Sequence, residues 1–237
     1  MADLSAMLFT AYIAGVVALT VPPLWVALLL VPEGRPADRL VRWSLRLVVR
    51  VSGCRLRVSG ADRLLRCGPA MLVANHASYL DSVILMAALS AEFRFVANHG
   101  LLAWPLIGMI VRKARHLTVN RGVRAQRLAC TRAMADVLRQ GGSLLVYPEG
   151  TTSRQPGLLP FRLGAFRAAV LAGRPIVPIT VVGTGRVWRR DGWLLRRAPV
   201  GVTIHEPIEP EAGDRPEMVR IRLRARSQIA AGLSAAC

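Results

Sequence analysis

Residues 70–89 read AMLVANHASYLDSVILMAAL. An uncharged apolar run, 70–74, ends at Asn75 and His76, and a second apolar stretch opens near Tyr79 and continues to Leu89. A short apolar run that stops at polar residues reads as a buried strand, and the longer one behind it as a helix. The same rhythm extends in both directions. Strands are expected at 54–59, 93–97, 117–119, 143–147, 176–182 and 202–205, with helices at 79–89, 105–112, 123–139, 161–171 and 216–229. Gly141 and Gly142 stop one helix, and Gly173 and Pro175 another. Strands alternating with helices imply βαβ units. The fold class is therefore α/β, a mostly parallel sheet flanked by helices.

Upstream the pattern changes. Residues 4–32 carry no charge, and roughly 20 apolar residues suffice to cross a bilayer. Only Asp3 precedes the run as a charge and no clear A-x-A site follows, so it does not read as a typical secretory signal peptide. Pro22 and Pro23 interrupt it, and proline inside a helix removes a hydrogen bond. The α/β unit is thus preceded by an N-terminal hydrophobic membrane helix, kinked at the prolines, or by a helical hairpin of 4–21 and 24–31 dipping into one leaflet; a buried core helix is the third reading. Arg35, Arg39, Arg42, Arg46 and Arg50 then recur at spacings of three and four, with Leu40, Val41, Trp43, Leu45 and Leu47 among them. This is a basic amphipathic helix, either interfacial or the solvated face of a globular helix. The division is 1–33 membrane segment, 34–53 interfacial helix and 54–237 catalytic domain. Because the arginines follow the apolar run, the main domain is expected on the cytoplasmic side of the cell inner membrane.

The chain has 237 residues, 53% of them hydrophobic, and a formal net charge of +18. High charge joined to high hydrophobicity excludes a disordered chain. It suits an anionic membrane surface as well as it suits nucleic acid. Lys113 is the only lysine, so the charge is almost all arginine, whose planar fork matches phosphate oxygens. Cys54, Cys67, Cys130 and Cys237 form no C-x-x-C pair, and neither a metal site nor a disulfide framework is expected. Asp191-Gly192, between Trp188-Arg189-Arg190 and Trp193-Leu194-Leu195-Arg196-Arg197, reads as a surface hairpin.

The chemistry gathers where the strand 70–74 gives way to its helix. Ser78 is placed as an N-cap with Asp81 three residues on, a variant of the capping box. His76 and Asp81 can meet across that turn, at the carboxyl end of a strand, where open α/β sheets bind ligands. A neutral imidazole can take a proton from an attacking hydroxyl near neutral pH, and a carboxylate on its other nitrogen fixes the tautomer. The spacing alone is equally that of a helix-cap aspartate and an ordinary loop histidine. Ser78 lacks the G-x-S-x-G setting of a hydrolase nucleophile. His99, His116 and His205 are scattered and read as structural.

Four blocks in order decide between these. Asn75-His76-Ala77-Ser78-Tyr79-Leu80-Asp81, Leu117-Thr118-Val119-Asn120-Arg121, Tyr147-Pro148-Glu149-Gly150-Thr151-Thr152-Ser153 and Ile176-Val177-Pro178-Ile179 resemble the signature blocks of the glycerolipid acyltransferases, the family of bacterial 1-acylglycerol-3-phosphate acyltransferases. The stretch Leu159-Pro160-Phe161-Arg162-Leu163-Gly164-Ala165-Phe166 follows the third block as it does there, and the resemblance covers roughly 40–210. It implies a membrane O-acyltransferase with His76 as general base and Asp81 as its partner. Asn75, Arg121, Glu149, Gly150, Thr151, Arg154 and Pro178 become substrate-binding positions, Arg121 as a phosphate ligand. No metal and no cofactor are implied, only acyl-ACP or acyl-CoA as co-substrate. The implied partners are a lysolipid acceptor, acyl carrier protein or a coenzyme A thioester, and an anionic membrane surface; no nucleic acid is expected. The most direct reaction is acylation of 1-acyl-sn-glycerol-3-phosphate to phosphatidic acid. This sequence departs from the pattern at Asn120, where aspartate is usual, and at Thr152, where arginine is common. The second departure opens an alternative acceptor such as lyso-ornithine lipid. Two other classes remain beside acyl transfer: a membrane-tethered nucleic-acid or anionic-partner binding protein, and a lipid hydrolase using His76 with water.

Overall fold

The computed structural model describes residues 2–120, 122–152, 157–188, 192–211 and 215–235. Seven strands form one sheet: β1 (Leu56–Ser59), β2 (Met71–Ala74), β3 (Arg94–Asn98), β4 (Leu117–Val119), β5 (Leu144–Val146), β6 (Ile176–Val182) and β7 (Val200–Ile204). Their order is β1-β7-β6-β2-β5-β3-β4, and every neighbouring pair is parallel except β6 with β7. The central strands are unbroken apolar runs because both faces are covered: all four residues of β2 are buried, as parallel sheets require. Alternate residues serve opposite layers. Leu72, Leu145, Val177 and Ile179 join one core, whereas Met71, Val73, Leu144 and Ile176 join the other.

The first layer holds α1 (Ala2–Leu30), α2 (Arg35–Val51) and α4 (Leu80–Ala88), with α5 (Pro105–Lys113) beside them. The second holds α6 (Arg124–Arg139), α7 (Gly164–Ala172) and α9 (Arg215–Ser234). Two short helices have no clear sequence signal, α3 (Ala61–Cys67) and α8 (Thr184–Val187). The chain crosses back over the sheet twice. The crossover through α6 inserts β5 between β2 and β3, and the one through α7 carries the chain past β2 to β6. The carboxyl ends of β5, β2 and β6 therefore lie side by side.

α1 is one continuous helix with Pro22 and Pro23 inside it, not a hairpin of 4–21 and 24–31. The hairpin is instead α1 with α2. α1 touches the rest of the molecule near both of its ends. Near its start Thr10 Oγ1 accepts from the Leu195 N–H at 2.8 Å, and Tyr12 OH donates to the Val51 carbonyl at 2.8 Å. Near its end Leu24 and Leu28 are buried with Ala37 and Val41 of α2, in the same core as the sheet. Its other face leaves Leu4, Leu8, Leu19, Trp25 and Leu30 exposed.

Of the α2 arginines only Arg42 is buried, while Arg35, Arg39, Arg46 and Arg50 are exposed, three of them bonded to neighbouring segments. Arg42 is buried, pairs with Asp38 at 2.6 Å, donates to the Phe93 carbonyl and lies 4.2 Å over the Phe93 ring. Arg46 donates to the Ala87 and Leu89 carbonyls at the end of α4, and Arg35 and Arg39 pair with Glu92. Trp43, Leu47 and Val51 are exposed beside these arginines. Further along, Trp188 bridges Leu195 in antiparallel fashion, as a hairpin at Asp191-Gly192 requires; Arg189, Arg190 and Asp191 lie outside the described residues.

Candidate active site

β2 ends at Ala74, and the next two residues are clamped from both flanks. The Asn75 amide spends both its groups on β6: Nδ2 donates to the Val181 carbonyl at 2.9 Å and Oδ1 accepts the Val181 N–H at 2.8 Å. Asn75 is buried and bonded to backbone, so its work is to fix the mouth of the strand. On the other flank Glu149 Oε1 accepts the His76 N–H at 2.9 Å, and Oε2 accepts the Leu159 N–H at 3.0 Å. Burial pushes the Glu149 carboxyl above its usual value, against the pull of these two N–H groups. Glu149 is thus a buried strut between β2 and the chain before α7.

The His76 ring is held on an edge and on a face. Nδ1 lies 2.9 Å from Asp81 Oδ2. The same oxygen accepts from the Ala77 and Ser78 N–H groups at 2.8 and 2.9 Å, and Oδ1 accepts from Thr184 Oγ1 at 2.6 Å. Four donors converge on a side chain with no exposed surface, the surroundings a carboxylate needs because it can only accept. The capping-box expectation is half met: Asp81 reaches back to the Ser78 N–H, but Ser78 Oγ takes the Leu80 N–H and the helix starts one residue later than Ser78 would cap. With Nδ1–H facing Asp81, Nε2 is left with its lone pair, and the side chain keeps 16% of its surface exposed.

Tyr147 covers the ring face, with centroids 3.9 Å apart and planes 10° from parallel. Its hydroxyl lies 3.0 Å from Ser82 Oγ on α4. Burial, reinforced by the charge of Asp81, pushes the phenol well above its usual range, so it stays a neutral hydroxyl. Tyr147 also lines a cleft of about 540 Å³, walled by Val96 and Val146 of the sheet, Thr131 and Met134 of α6, and Gly150. A smaller recess of about 60 Å³ lies against Ala77, Ser78, Tyr79, Thr152 and Trp188.

The expected positions therefore divide. His76, Asp81, Asn75 and Glu149 meet at one point. Gly150 lines the larger cleft. Thr151 is exposed, and Pro178 is buried within β6 opposite Val73. Arg121 and Arg154 lie outside the described residues. Sequence reasoning passed over Tyr147 and Thr184. Tyr147 stood within a quoted block, whereas Thr184 had no signal at all: it reaches Asp81 only because β6 lies beside β2. The other histidines lie elsewhere. His205 bonds Thr180 at 2.7 Å, His116 accepts the Phe95 N–H, and His99 is exposed. Among the described residues no group of ligating side chains could hold a metal ion.

The pair leaves a half-shielded imidazole beside a cleft, an arrangement that can take a proton from a bound hydroxyl. The family model Acyltransferase matches residues 55–182. A lyso-ornithine lipid O-acyltransferase of Pseudomonas aeruginosa is 33% identical, over 93% of this chain and 91% of that protein. A chloroplastic 1-acyl-sn-glycerol-3-phosphate acyltransferase of Brassica napus is 32% identical over 62% of this chain, which spans only 42% of that protein. The fold matches the crystal structure of the 1-acyl-sn-glycerophosphate acyltransferase PlsC from Thermotoga maritima, with a TM-score of 0.80 over 99% of this chain and 97% of that one, at 21% identity.

Proposed function

The chain belongs to the glycerolipid acyltransferase family, and from that premise we propose that it moves a fatty acyl group from a thioester to the free hydroxyl of a lysolipid, with His76 as general base. The observation that carries this is the His76–Asp81 pair, set in a turn whose His76, Ala77 and Ser78 N–H groups are all committed to carboxylates. His76 Nε2 takes the proton of the acceptor hydroxyl as its oxygen attacks the thioester carbonyl. The carbon–sulfur bond then breaks. The imidazolium, stabilised by Asp81, returns its proton to the departing thiolate, giving an ester and a free thiol. Acyl-ACP or acyl-CoA supplies the thioester, and the protein contributes no cofactor.

Lysophosphatidate is the proposed acceptor, yielding phosphatidic acid. A second acceptor, lyso-ornithine lipid, is favoured by one observation: the Pseudomonas relative of that name matches from end to end. Membrane association is supported by α1, which is long and apolar enough to cross a bilayer, with a mean hydropathy of 2.2. Because α1 is docked near both of its ends against the catalytic layer, the reading best supported is a helix lying in one leaflet of the inner membrane, exposed side chains in lipid and the catalytic domain at the cytoplasmic surface.

The test is transfer from labelled acyl thioester in liposomes, with both acceptors in parallel and His76→Ala alongside. Product with the wild type and not with the variant supports the proposal. Turnover by His76→Ala at the wild-type rate, or release of free fatty acid without any acceptor product, defeats it.

A further inference from the structure

Residues 220–226 read RIRLRAR, four arginines at every second position within α9. Successive helical residues turn by about 100°, so residues two apart fall on opposite flanks and residues four apart share one. Arg220 and Arg224 therefore take one flank of α9, and Arg222 and Arg226 the other. Ile221 and Ala225 are fully buried, in the core that holds Phe166 and Ile176. Leu223 stands on the crest between the flanks, 55% exposed. The outer face of α9 is thus an apolar knob ringed by guanidinium groups.

Acidic side chains offset only one of the four. Glu211 and Glu217 both pair with Arg220. Among the described residues no acidic side chain pairs with Arg222, Arg224 or Arg226. Like charges four residues apart weaken a helix, so the pattern does nothing for the fold. An apolar centre within a charged rim is the usual make-up of a protein contact.

Two placements bear on the partner. α9 shares its layer with α6 and α7, whereas α1 and α2 cover the opposite face of the sheet. With α1 in lipid, the ridge faces water, which favours a soluble acidic protein over the bilayer. The ridge also borders the active site. Arg226 Nη2 donates to the Leu158 carbonyl at 3.3 Å, and the next N–H, of Leu159, donates to the same Glu149 that holds the His76 N–H.

We propose that this ridge is the docking surface for an acidic carrier protein that delivers the acyl thioester, its carboxylates meeting Arg222, Arg224 and Arg226 and an apolar side chain meeting Leu223. The proposal rests on the acyl-transfer reading and narrows the donor. Complementary charge of this kind speeds encounter and fixes the orientation of the partner.

The experiment uses the full-length protein with Arg222→Glu and Arg224→Glu combined, which leaves the bond from Arg226 to Leu158 in place. Arg50→Glu with Arg57→Glu, at exposed positions of α2 and β1, makes the same change of charge elsewhere. In the α9 pair, KM for acyl carrier protein as donor should rise about 10-fold or more with kcat unchanged. KM for a neutral acyl thioester, acceptor KM and the melting midpoint should stay as in the wild type, and the control pair should leave the carrier KM near its wild-type value. An unchanged carrier KM in the α9 pair, or an equal rise with the neutral thioester or in the control pair, overturns the proposal. Sedimentation with phosphatidylglycerol vesicles should be the same for the α9 pair and the wild type; its loss would assign the ridge to the membrane and overturn the proposal too. A further arm measures binding to immobilised holo carrier protein bearing no acyl group, which the α9 pair should weaken by a similar factor. Should the wild type transfer no acyl group, the transfer reading falls by itself. The carrier-binding arm then decides the ridge: binding that the α9 pair weakens upholds it, and no binding, or binding the pair leaves unchanged, removes it.

Discussion

His76 owes its orientation to one buried carboxylate that accepts four hydrogen bonds, from the imidazole, two backbone amides and a threonine hydroxyl. Asp81→Asn keeps the shape but turns an NH2 group toward donors. The expected result is a fall in kcat of about 10²–10⁴ with acceptor KM little changed, read from steady-state kinetics; wild-type kcat in that variant would show that His76 needs no partner. A second residue-scale expectation concerns stability. Burial, aided by the charges of Arg42 and Arg94, pushes His116 down from 6.5 to about 4. The folded state therefore binds fewer protons than the unfolded chain between those values. This contribution is complete above pH 6.5 and is lost as pH falls toward 4, by about 2–3 kcal/mol. Melting midpoints across that window should drop less steeply for His116→Gln than for the wild type, and parallel curves would refute the assignment.

At the scale of elements, α1 and α2 behave as part of the catalytic layer. Leu28 of α1 has no exposed surface and belongs to the core that includes Leu72 and Val177. Leu28→Ala should cost about 2–5 kcal/mol in denaturant unfolding of the whole protein, the usual range for truncating a buried leucine. A helix anchored in lipid apart from the domain would show no such loss. The arginines of α2 teach the complementary lesson. Their spacing puts them on one helix, yet their surroundings differ: Arg46 satisfies carbonyls at the end of α4 and Arg42 is buried against Asp38 and Phe93. End carbonyls of a helix need donors, and here a neighbouring helix provides them.

The molecule as a whole carries +18. On the acyl-transfer reading such a field draws an acidic carrier protein as well as anionic lipid, and steering of this kind is screened by salt. Raising ionic strength should therefore lower kcat/KM with acyl carrier protein as donor more than with a neutral acyl thioester. Equal salt effects on the two donors would remove the steering role. Tertiary placement also separates the charge into classes: some arginines cap helices or pair with acids, and Arg127, Arg162 and Arg167 line the larger cleft.

Much of this protein was legible in its residues. The alternation of apolar runs with helical stretches determined an α/β fold, because strands buried on both faces must be continuously apolar. The spacing of His76 and Asp81 determined that they could meet, because a strand-to-helix turn is a local structure. The apolar N-terminal run determined a helix, but whether it was kinked, paired or docked depended on distant partners at Leu195, Val51 and Val41. Thr184 as a ligand of Asp81, Tyr147 as the face of His76, and Arg162 across Gly150 were decided only by the tertiary structure. Each joins segments that are remote in the chain or bent back at a turn. What brings the first two together is the order of the sheet, which sets the ends of β5, β2 and β6 side by side, and no local periodicity records that order.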